Sequence, residues 1–137
     1  MGKVINVSNR LPITIAKNDA WYTFRPSAGG LKSCLESVRE TVNFLWIAWP
    51  GLEVDPSAEK QLEEERQTRY ECLPVFMSEE LADMHYSKYC NGTVWPILHS
   101  FISECDYRQK YFEAYVAVNE LFADKVLEVI EENDIVW

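Results

Sequence analysis

The sequence predicts an α/β domain built around a largely parallel sheet. Three observations lead there: short apolar runs alternate with segments of helical periodicity, the runs are apolar throughout rather than at every second residue, and turn residues punctuate them at Lys17-Asn18-Asp19, Pro50-Gly51 and Asn133-Asp134. Continuous apolarity is the pattern of strands buried on both faces, as in a sheet covered by helices on two sides.

Lys3-Val4-Ile5-Asn6-Val7-Ser8 is rich in β-branched side chains and forms the expected first strand, whose carboxyl end delivers Ser8-Asn9-Arg10 to the surface. Leu11 to Arg25 alternates apolar and polar residues around the Lys17-Asn18-Asp19 cluster, the pattern of a small hairpin. Pro26-Ser27-Ala28-Gly29-Gly30 breaks that pattern. Leu31, Cys34, Leu35, Val38 and Val42 then follow at helical spacing, so a helix starts at or near the glycines. Phe44 to Trp49 is a second buried strand closed by Pro50-Gly51. Ser57 to Gln67 is charge-dense, with Lys60 and Glu64 at i,i+4, and predicts an exposed helix on which Glu63-Glu64-Glu65 is a solvated face.

Arg69 to Phe76 is a third strand candidate, with Pro74 either interrupting it or marking an edge. Ser78 can cap a helix whose first turn carries Glu79 and Glu80, two acids at the positive end of the dipole. Gly92 to His99 predicts another short helical segment with Pro96 in its first turn. Tyr107 to Asn133 keeps an apolar stripe through Tyr111, Tyr115, Val118, Phe122, Val126, Val129 and Ile130. Ile135-Val136-Trp137 then begins a further strand. With no repeat, low-complexity stretch or internal linker, the expectation is one layered domain.

Of the 137 residues, 47% are hydrophobic and 26% charged, which suits a globular chain rather than a disordered one. The balance of 22 acidic against 13 basic side chains, a net charge of −9, speaks against a nucleic-acid surface and against attraction to an anionic membrane. A small anion needs only one or two arginines in a cleft. No run approaches the length of a membrane-spanning helix, and the first residues carry no signal-peptide core. A cytoplasmic protein with Cys34, Cys72, Cys90 and Cys105 reduced is therefore expected. The absence of C-x-x-C pairs predicts no metal site, and the absence of G-x-G-x-x-G gives no support to a dinucleotide cofactor.

Ligands of parallel α/β sheets bind beyond the carboxyl ends of the strands. That rule selects Asn9-Arg10, Trp49-Pro50-Gly51 and the residues from Ser78 onward. Gly29-Gly30 adds a fourth place: glycines at a helix start let backbone N–H groups approach a phosphate or sugar, although the same pair also serves a plain turn. Arg10 offers a rigid fork of donors suited to phosphate, or equally to a surface ion pair. Tyr86 and Trp95 lie in a stretch dense with aromatics and amides, a composition found in sugar sites and, more often, in cores. His85 and His99 show no spacing that suggests a nucleophile or base, and structural histidines are expected. The residues by themselves predict a binder of an anion or a sugar phosphate.

Taken in order, these segments resemble the amino-terminal part of the trehalose-6-phosphate synthases (glycosyltransferase family 20), retaining enzymes that join UDP-glucose to glucose 6-phosphate. The pieces that carry the resemblance are Val7-Ser8-Asn9-Arg10-Leu11-Pro12, Ser27-Ala28-Gly29-Gly30-Leu31 and Trp46-Ile47-Ala48-Trp49-Pro50-Gly51. They continue through His85-Tyr86-Ser87-Lys88-Tyr89-Cys90-Asn91, Val94-Trp95-Pro96-Ile97-Leu98-His99 and Tyr115-Val116-Ala117-Val118-Asn119. Ala123-Asp124-Lys125 and Asp134-Ile135-Val136-Trp137 close the series.

The resemblance implies a Rossmann-like sheet with flanking helices, the acceptor-side domain of a GT-B glycosyltransferase over residues 1–137. It places Arg10 on the phosphate of glucose 6-phosphate, Trp49, Tyr86 and Trp95 in the same acceptor pocket, and Gly29 and Gly30 beside the UDP-glucose donor. It assigns no catalytic residue within this chain, no cofactor and no metal. The family continues into a His-Asp-Tyr-His segment and a second domain that holds UDP, so the chain alone is expected to be inactive. The implied partners are the two sugar substrates, with an oligomer or a trehalose-pathway complex left open. The alternative is a non-catalytic synthase-like module that senses sugar phosphate, of the kind fused to trehalose-phosphate phosphatases.

Overall fold

In the computed structural model the described residues are 2–18, 22–26, 42–60, 62–63 and 71–137. The strands are β1 (Val4–Arg10), β2 (Ile13–Lys17), β3 (Tyr22–Pro26), β4 (Phe44–Trp49), β5 (Cys72–Pro74) and β6 (Ile135–Val136). Four of them form a parallel sheet in the order β5-β4-β1-β6, while β2 and β3 form the expected antiparallel hairpin.

β4 shows why its sequence is apolar at every position. Phe44, Trp46 and Ala48 pack on one side with Leu11, Ile13 and Ile15 of the hairpin and with Ala58 and Leu62. Leu45 and Ile47 pack on the other side with Ile5, Leu73 and Val75, against which Phe122, Val126 and Val129 lie. Successive side chains of a strand point to opposite faces, so a strand covered on both sides needs no polar alternation. Residues 56–60 and 62–63 are helical, beginning one residue before the expected 57–67 segment. Glu63 departs from the solvated face predicted for it: its carboxylate accepts a hydrogen bond from Lys125 Nζ at 3.2 Å, tying this helix to a residue 62 positions along the chain.

The third strand is shorter than the predicted 69–76. Glu71 takes a left-handed backbone conformation, φ 51°, which ends any strand there, and pairing is confined to Cys72–Pro74. Pro74 sits on an edge strand opposite Ala48, where its missing N–H costs no ladder bond.

The two short helices expected after Ser78 are one continuous element: α1 (Glu79–Ala82), a π-helix (Asp83–Val94) and α2 (Trp95–Leu98). Ser78 caps it as predicted, its hydroxyl accepting the Leu81 N–H at 3.2 Å. Pro96 is accommodated inside the helix because the carbonyl it cannot serve, that of Gly92, accepts the Asp106 N–H at 2.9 Å instead. After a 3₁₀ turn at Ile102–Glu104, α3 (Gln109–Leu127) buries Tyr111, Ala114 and Val118. α3 ends before the predicted Asn133, and Asn133 itself adopts φ 73°, turning the chain into β6.

Lys3 and Asp134 fasten β6 to the start of β1. The Lys3 backbone N–H donates to Asp134 Oδ1 at 2.8 Å, and Lys3 Nζ stands 2.6 Å from Oδ2. The hydrogen bond from Lys3 holds the Asp134 carboxyl below its ordinary value. A carboxyl lowered by folding contributes stability above its unfolded value, and that contribution disappears as pH falls through the folded one. We expect chemical denaturation of the wild type to show a loss of stability below about pH 4, and Asp134→Asn to lower neutral-pH stability and flatten that acid dependence.

Candidate functional site

The carboxyl ends of β1 and β4 lie side by side, and their register slips where they reach the surface. Val4 to Ser8 pair in step with Phe44 to Ala48, whereas Arg10 pairs with Trp49, so a bulge lies between Ser8 and Arg10. A bulge re-aims the side chain that follows it. Here it turns Arg10 outward, with the guanidinium 4.8 Å from the centre of the Trp49 ring and Nη1 donating to the Gly51 carbonyl at 3.2 Å. The Leu11 N–H then returns to the Trp49 carbonyl at 3.1 Å and fixes the other side of the bulge.

The backbone at Gly51 favours glycine, and a side chain there would also move Arg10. The Gly51 φ of +92° is disfavoured for residues with a side chain, and a Cβ there would stand 1.9 Å from Arg10 Nη1. Gly51→Ala is therefore expected to displace the guanidinium from Trp49 and to destabilise the chain by about 1–3 kcal/mol. Calorimetric unfolding reads the second effect, and the Arg10 Nε–H resonance the first.

Trp49 is half-buried, and its indole N–H is buried with no partner among the described residues. Tyr86 projects from the π-helix with 44% of its surface exposed, and Trp95, the first residue of α2, is 59% exposed. Neither behaves as the core aromatic that residue statistics favour. The helix packs through His85 and Tyr89 instead: both rings lie on Tyr115 of α3, at 5.7 and 4.9 Å. Tyr86, one position along from His85, is left facing outward. The Trp95 and His99 ring centres lie 4.0 Å apart, and His99 Nδ1 lies 2.9 Å from the Trp95 carbonyl oxygen.

His85 also lines a cavity of about 170 Å³ at the end of β1, with Ser8, Asn9, Asn119 and Phe122 among its walls. Burial pushes the His85 imidazole below its ordinary value, and its Nδ1 is buried with no hydrogen-bond partner among the described residues.

The structure thus brings Arg10 and Trp49 into contact. Tyr86 and Trp95 stand on the neighbouring helical segment, with no hydrogen bond or ring contact to that pair among the described residues. Gly29 and Gly30 lie outside the described residues. Sequence reasoning passed over Ser8 as a hydrogen-bonding group, and it selected Gly51 only as part of a strand-end turn, because the approach of Arg10 comes from 41 positions away. Among the described residues no group of three or more His, Cys, Asp or Glu side chains could hold a metal ion, and Cys90 and Cys105 form no disulfide there. No described helix is long and apolar enough to cross a membrane.

Comparison with known proteins gives consistent findings. The sequence profile of glycosyltransferase family 20 matches residues 2–137. An alpha,alpha-trehalose-phosphate synthase [UDP-forming] of Yarrowia lipolytica is 39% identical over 138 aligned residues, which cover 100% of this chain and 29% of the relative. The chain therefore spans about three tenths of that relative's length. Among solved structures, the E. coli trehalose-6-phosphate structure bound with UDP-2-fluoro glucose has a TM-score of 0.72 at 24% identity, covering 99% of this chain and 27% of that one. A Burkholderia xenovorans alpha,alpha-trehalose-phosphate synthase (UDP-forming) in complex with glucose-6-phosphate has a TM-score of 0.67 at 22% identity, again over 99% of this chain and 27% of that one. These structures share the fold of the chain.

Proposed function

The chain belongs to glycosyltransferase family 20, and from that premise we propose that it forms the acceptor-side wall of a retaining enzyme that moves glucose from UDP-glucose to glucose 6-phosphate. The observation that carries this reading is the Arg10–Trp49 pair at the carboxyl end of a parallel sheet. A guanidinium suits a phosphate monoester bidentately, and an indole face suits the C–H surface of a pyranose. Tyr86 and Trp95 extend the aromatic surface, and Gly29 and Gly30 border the donor. Residues 1–137 are in this reading one Rossmann-like half of a GT-B cleft, acting in the cytoplasm.

The reaction is a front-face displacement. The acceptor's anomeric hydroxyl attacks C1 of the donor glucose from the side that UDP leaves, the C1–O bond to UDP breaks, and a leaving-group oxygen takes the proton. Charge develops at C1 and on the diphosphate, so fixed positive groups beside the diphosphate supply most of the stabilisation. This chain contributes positioning: it holds the acceptor phosphate and stacks the acceptor ring. Supplied with UDP-glucose and glucose 6-phosphate, the 137-residue chain is expected to release no UDP above background in a coupled assay. Robust turnover would show that it carries leaving-group chemistry of its own.

A further inference from the structure

Arg10 is placed by something other than its own contacts. Between the core and the surface stands Ser8, whose hydroxyl accepts the indole N–H of Trp46 at 2.6 Å and donates to the backbone carbonyl of Arg10 at 3.1 Å. Trp46 is a buried core residue of β4, packed edge-on against Phe44 with ring centres 5.9 Å apart. The carbonyl that Ser8 holds belongs to the residue at which the β1–β4 register slips. A hydroxyl is needed at this point: it serves a donor on one side and an acceptor on the other, which a methyl group cannot do.

We propose that Ser8 is a positioning residue for Arg10, its hydroxyl tying the buried Trp46 indole to the bulge that presents the guanidinium over Trp49. The link converts core packing into the direction of a surface charge. A buried, close-packed indole moves little, so the carbonyl it fixes through Ser8 moves little, and the Arg10 side chain departs from a defined point. The consequence for ligand binding rests on the acceptor-site reading above, whereas the mechanical link does not.

The test is nuclear magnetic resonance on the isotopically labelled chain, with Ser8→Ala, Ser8→Cys and Ser8→Thr. The wild type should show slow solvent exchange at the Trp46 indole N–H. Ser8→Ala should lose that protection and shift both the Arg10 Nε–H and the Trp49 indole resonances, while Ser8→Thr, which keeps the hydroxyl, should restore them. Ser8→Cys, close in size and a weak hydrogen-bonding group, carries the same reading if the alanine variant fails to fold. Titration with glucose 6-phosphate should give a Kd raised about threefold to tenfold in Ser8→Ala, with glucose affinity unchanged, and Ser8→Ala/Arg10→Ala should bind no more weakly than Arg10→Ala alone. Unchanged Arg10 and Trp49 resonances in a Ser8 variant whose Trp46 indole has lost protection would overturn the proposal. Should the wild type bind glucose 6-phosphate no better than glucose, the acceptor-site reading fails, and the resonances still decide the role of Ser8.

Discussion

Replacing Arg10 by alanine is expected to weaken glucose 6-phosphate binding by about 1.5–3 kcal/mol, the range for a hydrogen bond to a charged group. In affinity that is on the order of 10- to 150-fold. The magnitude follows from the setting of the side chain. Arg10 is exposed, so its ring contact with Trp49 and its bond to the Gly51 carbonyl add little to folding, and the unfolding temperature should scarcely move. A phosphate docked on the guanidinium gains a charge-assisted contact that water does not replace. Calorimetry with glucose 6-phosphate and with glucose separates the two effects: the first affinity should fall in the variant and the second should not. Equal affinity of wild type and variant for the phosphate sugar would remove Arg10 from the site.

Ile47→Ala is expected to destabilise the fold by about 2–5 kcal/mol, through lost transfer energy and a cavity that its neighbours cannot close. Ile47 is 0% exposed, on a strand paired on both edges, among Ile5, Leu45, Leu73 and Val75. Marginal domains have total stabilities of about 5–15 kcal/mol, so the substitution removes a large share. A urea denaturation midpoint displaced by less than about 0.5 kcal/mol equivalent would contradict the double-sided burial of β4.

Much of this architecture was legible because single segments carry their own signal. Phe44 to Trp49 reads as a two-faced strand from its unbroken apolarity, and of the two readings open for Pro74, an interrupted strand or an edge, the described residues show the edge. The continuous helix from Glu79 to Leu98 was not legible. Gly92 and Pro96 are local breakers, and what overrides them is the Asp106 N–H, which satisfies the Gly92 carbonyl from outside the helix. Glu63 likewise looked solvated until its partner Lys125 was brought against it from 62 positions away.

The site divides in the same way. Arg10 stood out as a candidate phosphate contact because of its residue type and its place at a strand end, although a surface ion pair suited it equally. Tyr86 and Trp95 could be moved from core to pocket only by resemblance. Their outward placement depends on which neighbours, His85 and Tyr89, the π-helix turns toward α3. The roles of Ser8 and Gly51 arise from long-range geometry, a bulge and a close approach, which no short-range pattern encodes.

In the proposed function, Arg10 and its aromatic neighbours form a sugar-phosphate wall. The most direct measurement is a titration of the ¹⁵N-labelled chain with glucose 6-phosphate, with glucose and inorganic phosphate as comparisons. The prediction is saturable shifts at the Trp49 and Trp95 indole N–H and at Arg10 Nε–H, with glucose 6-phosphate bound at least about tenfold more tightly than glucose. No shift at these three groups at saturating glucose 6-phosphate, or equal affinity for glucose and its phosphate, would contradict it.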